Sequence, residues 1–460
     1  MSDEVFRRST RINRPAAEVF NWHLRPGALE RLAPPWEPIT VVSSSGPLAE
    51  GMRVVIRTGT GLARMEWEVE HDEFVPGERF RDVMRRGPFA RWEHVHAVEP
   101  DGPDACRLVD TITYRLPLGA LGRLVAGSWI RRRIERAFAW RHAVTRADLE
   151  LGAAHGPVAP MTIAVAGASG LLGRALVSFL RTQGHRVVVL VRRPSRGADE
   201  ISWDPAAGWL EVAALEGVDA VVNLAGENIG AGRWTSARRQ AIASSRLNAT
   251  RTLVTAMRKL PRPPRVMFNA SAVGVYGDTG DSLVTEDTPA ATGFLPGVVR
   301  DWEQAAREAE ALGTRVVLGR LGVVLSPAGG ALAKLRPVFA LGLGGPVGSG
   351  RQWMSWLGIE DAIGAVYHAL ITPGLSGPVN LAAATPVTNR EFSAALGRVL
   401  RRPAVLPAPG WILRLMFGEM ADATVLLSTR ASAERLSASG YRLRQPELER
   451  ALREVLGRAD

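Results

Sequence analysis

The chain has 460 residues and a single cysteine, Cys106, which excludes an intramolecular disulfide framework and a cysteine-rich zinc site and fits a reducing compartment. Lysine is nearly absent as well: of 57 basic residues, only Lys259 and Lys334 are lysines. Tyrosine is confined to Tyr114, Tyr276, Tyr367 and Tyr441, and no histidine lies between His185 and His368. Chemistry that needs a lysine ammonium, a phenol or an imidazole base therefore has few places to reside. No apolar run approaches the roughly 20 residues needed to span a bilayer, and no charged-then-apolar leader follows Met1. A cytoplasmic protein without stable membrane insertion is expected. The formal charge of +11 does not point to nucleic acid, because the basic residues are scattered apart from a cluster at Arg131, Arg132, Arg133 and Arg136.

Length and an apolar fraction of 46% predict more than one domain, each with its own core. LGAAHGPVAP, residues 151–160, reads as the linker. Before it, in residues 1–150, a strand (FRRSTRI) leads into two short helices, then strand-like runs (MRVVIRTG, ARMEWEVEHDEF, ERFRDVMRRG, ARWEHVHAVEP, CRLVDTITYRL). A long helix closes the segment, with Leu124, Trp129, Ile130, Ile134, Phe138 and Trp140 at helical spacing. The order predicts an α+β layer with the helix laid across a curved antiparallel sheet. After residue 160, buried apolar strands alternate with helices, as in a doubly wound parallel sheet over residues 161–385. A mostly helical segment, 386–460, completes the substrate side, with GEMADATVLLSTRASAERL its clearest helical stretch.

In residues 1–150 the element order, with GPFARWEHVHAVEPDG and LPLGALGRL, resembles the START-like or polyketide-cyclase superfamily. The resemblance implies a helix-grip fold around a cavity for an apolar small molecule. His94 and His96 share one face of a strand and could bind a metal with His71 or a carboxylate. Two histidines are an incomplete ligand set, however, and the face reads as solvated, so no metal is expected.

The stretch AVAGASGLLGRAL, residues 164–176, carries Gly167, Gly170 and Gly173 where a strand turns into a helix. The three glycines suit a tight turn, close approach of backbone to a pyrophosphate, and close helix-to-strand packing. Ser169, Leu171 and Leu172 complete the loop and the helix's first turn. The next strand, RVVVLVRR, ends on Arg192 and Arg193 where an NAD-selective site would carry an acidic residue. Guanidinium groups there can pair with a 2′-phosphate, so NADP(H) is the expected cofactor. Leu224, Ala225, Gly226 and Glu227 end a further strand and should pass beneath the cofactor, and Arg246, on the helix that follows, is expected to contact the cofactor, where it suits a phosphate or a structural carboxylate. Asp204 could reach the adenine amine, although WDP equally suits a plain turn.

NLAGENI, SSRLNATRTL, SAVGVYG, FLPGVVRDWE, GSGRQWMSWLGIED and GEMADATVLLSTR resemble the atypical epimerase-like subfamily of extended short-chain dehydrogenases/reductases, over residues 161–455. That larger family uses a Ser or Thr, a Tyr and a Lys four residues after the Tyr. Here the Tyr and Lys positions fall on Leu295 and Val299, and none of the four tyrosines precedes a lysine by four. The resemblance leaves Ser271 and Tyr276 as candidate catalytic groups, with Glu227, Arg233 and Arg246 as charged neighbours. Tyr276 could equally be an aromatic packed under a loop. If it donates a proton, Tyr276→Phe should lower turnover by about 100-fold or more. By family position, Arg351, Gln352, Trp353 and Trp356 could clamp a substrate. Two functions compete: an NADP(H)-dependent oxidoreductase or epimerase-like enzyme acting on a small molecule, and a non-catalytic NADP(H)-binding sensor or ligand carrier.

Overall fold

The computed structural model describes residues 3–59 and 64–458. The chain divides into two compact units, one dominated by residues up to Val158 and the other by residues from Ala159 to Val455.

In the first unit, seven strands make one antiparallel sheet: β1 (Glu4–Ile12), β2 (Ile39–Ser44), β3 (Arg53–Thr58), β4 (Met65–Val75), β5 (Arg79–Arg86), β6 (Arg91–Pro100) and β7 (Cys106–Arg115). Their order is β1-β7-β6-β5-β4-β3-β2. The edge strand β2 is missed by the sequence patterning, because ITVVSS leaves most of its side chains exposed. Helices α1 (Ala16–Leu24) and α2 (Ala28–Arg31) follow β1, and α3 (Gly119–Ala154) is the long closing helix. Register shifts between Glu68 and Val69 and between His71 and Glu73 interrupt the β4–β5 ladder; irregularities of this kind bend a sheet.

Only the C-terminal part of α3 grips the sheet. Ile134 and Phe138 are buried there with Phe6, Ile112 and Tyr114, and Arg31 holds Asp148 in a buried two-point ion pair of 2.7 and 2.8 Å. Leu124 and Trp129, expected on the buried stripe, are 84% and 59% exposed. The reason is geometric: beneath the first turns of α3 lies an opening rather than the sheet, and Leu121, Val125 and Trp129 border it.

The second unit is built on β8 (Thr162–Ala166), β9 (Arg186–Val191), β10 (Glu200–Asp204), β11 (Trp209–Leu210), β12 (Ala220–Asn223), β13 (Val266–Ala272), β14 (Arg315–Leu321) and β15 (Gly377–Leu381). Their order is β11-β10-β9-β8-β12-β13-β14-β15. All neighbours are parallel except β10 and β11. The chain runs outward from β8 through β9 and β10, then returns to β8's other side with β12, so the sheet's switch point lies at the C-terminal ends of β8 and β12. Parallel sheets are covered on both faces, which explains why TIAVA and AVVN are apolar without alternation. Helices α4 (Leu171–Thr182), α5 (Ser236–Arg258) and α6 (Phe294–Arg307) follow β8, β12 and β13.

The tail differs from expectation in one place. GEMADATVLLSTRASAERL is not one helix: a π-helical turn at Ala421–Val425 gives way to a short strand, Arg430–Ala431, and then a short helix, Glu434–Ala438. Arg430 and Ala431 pair in parallel with Leu283 and Val284, and the Thr429 hydroxyl bonds the Gly277 carbonyl. Long-range pairing thus overrides local helical preference. Among the described residues, no helix is long and apolar enough to cross a membrane.

Candidate functional site

The glycine turn sits at the switch point, and each glycine there has a steric reason. Gly167 has φ +80°, and a Cβ on it would stand 2.6 Å from the Leu224 carbonyl and 2.8 Å from the Ala225 nitrogen. The β8 and β12 strand ends therefore approach to backbone contact, which only glycine permits. A Cβ on Gly173 would lie 2.2 Å from the Gly167 oxygen, so the first turn of α4 packs directly on the loop. Ser169 and Gly170 are exposed at the tip, and the Arg174 side chain donates to the Ser169 carbonyl at 2.6 Å. A backbone cradle opening a helix is suited to an anion such as a phosphate group.

The two arginines after β9 are not equivalent. Arg193 is committed: its Nη1 and Nη2 meet the two oxygens of Glu200 at 2.7 and 2.6 Å. Arg193 and the Arg196 backbone N–H pull the Glu200 carboxyl down to about 2. Arg192 is exposed and, among the described residues, makes no hydrogen bond or ion pair. Asp204 is a turn residue, its carboxylate accepting from the Ala206 and Ala207 amides at 2.9 and 3.3 Å.

On the other side of the turn, the loop 224–227 rests on α5. The Glu227 amide donates to Ser245 Oγ at 3.0 Å, and the Glu227 carboxylate accepts from Arg238 at 2.9 Å. Arg246 donates to the Glu227 and Ile242 carbonyls and lies over the Trp302 ring. Burial lowers its pKa to about 10. A Cβ on Gly226 would meet the Arg246 guanidinium carbon at 3.2 Å. Arg246 is thus the floor of this loop. Arg233 donates to the Leu415 carbonyl at 3.2 Å.

Ser271 and Tyr276 lie together in a buried network that the sequence reading did not anticipate. Ser271 donates to Glu303 Oε1 at 2.5 Å, and Arg320 grips Glu303 at two points, each 2.9 Å. Tyr276 is 4% exposed. Its hydroxyl accepts from Arg320 at 2.9 Å and donates to Asn380 at 2.7 Å. Burial raises its pKa despite Arg320. The Asn380 side chain also donates to the Ser432 carbonyl, and its backbone amide donates to Glu286. Arg320 on β14 and Asn380 on β15 are paired by the parallel register, and Glu286 reaches both from the segment before α6, so the linear sequence does not reveal them.

The loop 348–361 offers less than a four-residue clamp. Gln352 and Trp356 are buried, donating to the carbonyls of Val347, Val425 and Thr385. Trp353 bonds Asp281 and stacks on Arg430. Arg351 is the exposed member.

The first unit holds a cavity of about 1020 Å³ between the sheet and α3, with an apolar wall that includes Ile56, Trp67, Val69, Phe89 and Trp92. One patch of the wall is polar. His94 is 3% exposed and faces inward with His96, not toward solvent as the sequence reading expected, because α3 and α1 cover that face of the sheet. Burial opposes charge on His96, but the carboxylates of Asp110 and Asp82 outweigh it and push the imidazole up to about 9. Burial, with the positive charge of His96 adding to it, drives His23 the other way, down to about 4.

Comparison with known proteins matches this architecture. Residues 163–382 match the NAD dependent epimerase/dehydratase family, residues 408–455 a domain of unknown function, and residues 4–169 the polyketide cyclase / dehydrase and lipid transport family. The chain is 45% identical over 295 residues to an epimerase family protein of Mycobacterium bovis, covering 64% of this chain and 97% of that one. A crystal structure of a nucleoside-diphosphate sugar epimerase from Corynebacterium glutamicum is 30% identical with a TM-score of 0.80, over 98% of this chain and 90% of that one. Human epimerase family protein SDR39U1, solved with NADPH, is 35% identical with a TM-score of 0.59, over 64% of this chain and 99% of that one. The chain therefore belongs to the epimerase family of the NAD dependent epimerase/dehydratase type, with a polyketide cyclase-type domain preceding its Rossmann-like domain.

Proposed function

We propose that the chain is a cytoplasmic NADP(H)-dependent oxidoreductase or epimerase-like protein whose N-terminal domain binds an apolar small molecule. In this reading, residues 1–150 form the ligand domain and 151–160 the linker, whose first residues, up to Ala154, are the last turn of α3. Residues 161–385 bind the cofactor, and 386–460 complete the substrate side. The observation that carries the cofactor assignment is the free guanidinium of Arg192 beside a glycine turn with no room for side chains at Gly167 and Gly173. The pyrophosphate would lie over Ser169, Gly170, Leu171 and Leu172, the 2′-phosphate against Arg192, and Leu224 to Glu227 would line the other wall. NADPH in the human relative supports this choice.

NADP(H) supplies a hydride donor or acceptor, which leaves the protein to position a substrate and handle protons. The usual Tyr–Lys pair is missing, with Leu295 and Val299 at those positions. Ser271 and Tyr276 are the candidate replacements, but their hydroxyls are buried and their protons are committed to Glu303 and Asn380, with Arg320 donating to the Tyr276 oxygen. We assign both to bracing the strand ends. That engagement favours the second reading, a non-catalytic NADP(H)-dependent sensor or ligand carrier, since it removes the remaining hydroxyl donors. The test is a screen of the full-length chain for ligand-dependent oxidation of NADPH. Turnover with any small molecule supports the enzyme; tight NADPH binding that alters apolar-ligand affinity without turnover supports the sensor.

A further inference from the structure

The polar patch in the N-terminal cavity is organised like a ligand set. Antiparallel register brings its members together: Asp82 on β5 faces His94 on β6, and His96 on β6 faces Asp110 on β7. Strand alternation puts His94 and His96 on the same face. Asp82 Oδ1 lies 3.3 Å from His94 Nδ1 and 3.2 Å from His96 Nε2, and one donor atom from each of the three residues lies within 4.8 Å of the others. All three line the cavity.

A second carboxylate stands behind them. Asp110 Oδ1 is 2.8 Å from His94 Nε2 and 2.8 Å from His96 Nδ1, the ring nitrogens turned away from Asp82. An imidazole that gives its N–H to Asp110 presents its other nitrogen as a lone pair toward Asp82. Three electron-pair donors then converge on one point, an arrangement that a metal ion or a proton between them would satisfy. Asp110 is itself held by His142 Nε2 at 2.5 Å, and His142 Nδ1 lies 2.8 Å from Thr10. Such an outer shell of carboxylates orienting histidines is how metal sites fix their imidazoles. A further observation points the same way: His71, opposite Asp82 in the β4–β5 register and lining the same cavity, is buried and, among the described residues, has no hydrogen-bond partner at Nδ1.

We infer that Asp82, His94 and His96 bind a divalent first-row transition cation such as Zn2+, with Asp110 as the positioning carboxylate. Two imidazoles and a carboxylate suit such ions. A site with three protein ligands keeps a position open, and here that position faces an apolar cavity of about 1020 Å³. The occupant that fits is an apolar molecule carrying an oxygen donor, such as a carboxylate, enolate or phenolate. The inference does not depend on the cofactor assignment, which concerns the other unit.

Untagged full-length protein, stripped with chelator, is titrated with Co2+ and read by visible absorption, and with Zn2+ read by calorimetry. We expect one equivalent of each, with Asp82→Asn, His94→Gln and His96→Gln each weakening binding at least 100-fold and Asp110→Asn weakening it about 10- to 100-fold. An unchanged near-ultraviolet circular dichroism spectrum and an unchanged thermal transition in each variant show that the first unit is still folded. If a variant fails to fold, anomalous diffraction from wild-type crystals soaked in Zn2+ decides: a peak among these three residues supports the site. No binding by wild-type protein, metal located elsewhere, or full binding by His94→Gln and His96→Gln overturns it and leaves a shared proton as the cluster's cation.

Discussion

Arg193 and Glu200 meet in a two-point ion pair of 2.6 and 2.7 Å, while the adjacent Arg192 makes no hydrogen bond or ion pair among the described residues. Two neighbouring arginines at one strand end therefore have separate tasks. Arg193 fixes the β9–β10 edge, while the proposed task of Arg192 is to meet an incoming phosphate.

Removing the acidic partner should change that division. Glu200→Gln frees the Arg193 guanidinium and takes a negative charge from the pocket's edge, so NADPH should bind several-fold more tightly while NADH is little changed. Competition binding of both cofactors checks this; a loss of NADPH affinity would show that the ion pair itself shapes the pocket.

Gly173→Ala should nearly abolish cofactor binding, because the new Cβ would stand 2.2 Å from the Gly167 oxygen and must displace the turn. We expect at least a ~100-fold weaker NADPH affinity and a stability loss of about 1–3 kcal/mol, in the range of overpacking. Calorimetry and thermal unfolding report the two effects separately.

Tyr276→Phe distinguishes bracing from proton transfer. Deleting a hydroxyl that joins Arg320 to Asn380 leaves buried polar groups short of a partner, at about 1–3 kcal/mol. The expected outcome is a lowered melting temperature with any turnover within a few-fold of wild type. A drop of about 100-fold in turnover with unchanged stability would restore Tyr276 as the proton donor.

His23 makes the first unit sensitive to acid. Burial holds its folded-state pKa at about 4, below the ordinary value of 6.5. The unfolded chain therefore binds more protons between those values, and stability rises with pH across that window. As pH falls from 6.5 to 4 the loss should reach on the order of 2–3 kcal/mol. Denaturant unfolding of wild type and His23→Gln at several pH values should show a shallower slope in the variant; equal slopes would exclude His23 as the source.

What the sequence disclosed and what it hid follow from the range of the interactions. The β8 strand, its glycine turn and α4 are contiguous, so AVAGASGLLGRAL exposes them. The parallel sheet is legible because buried strands lose their polar alternation. Arg192 and Arg193 look alike in sequence, since Glu200 reaches Arg193 only through the pairing of β9 with β10. The polar patch of the cavity is hidden for the same reason: Asp82, His94, His96 and Asp110 meet through antiparallel register. Leu124 and Trp129 match a buried stripe, but Trp129 borders the cavity and Leu124 is exposed, because periodicity says nothing about what the helix faces.

The most direct test of the account is the cofactor preference of the full-length protein and of Arg192→Ala, measured by calorimetry with NADPH and NADH. The free guanidinium predicts that wild type prefers NADPH, and that Arg192→Ala weakens NADPH about 10- to 100-fold while NADH affinity stays within a few-fold. Equal affinity of wild type for the two cofactors, or a preference untouched by Arg192→Ala, would contradict it.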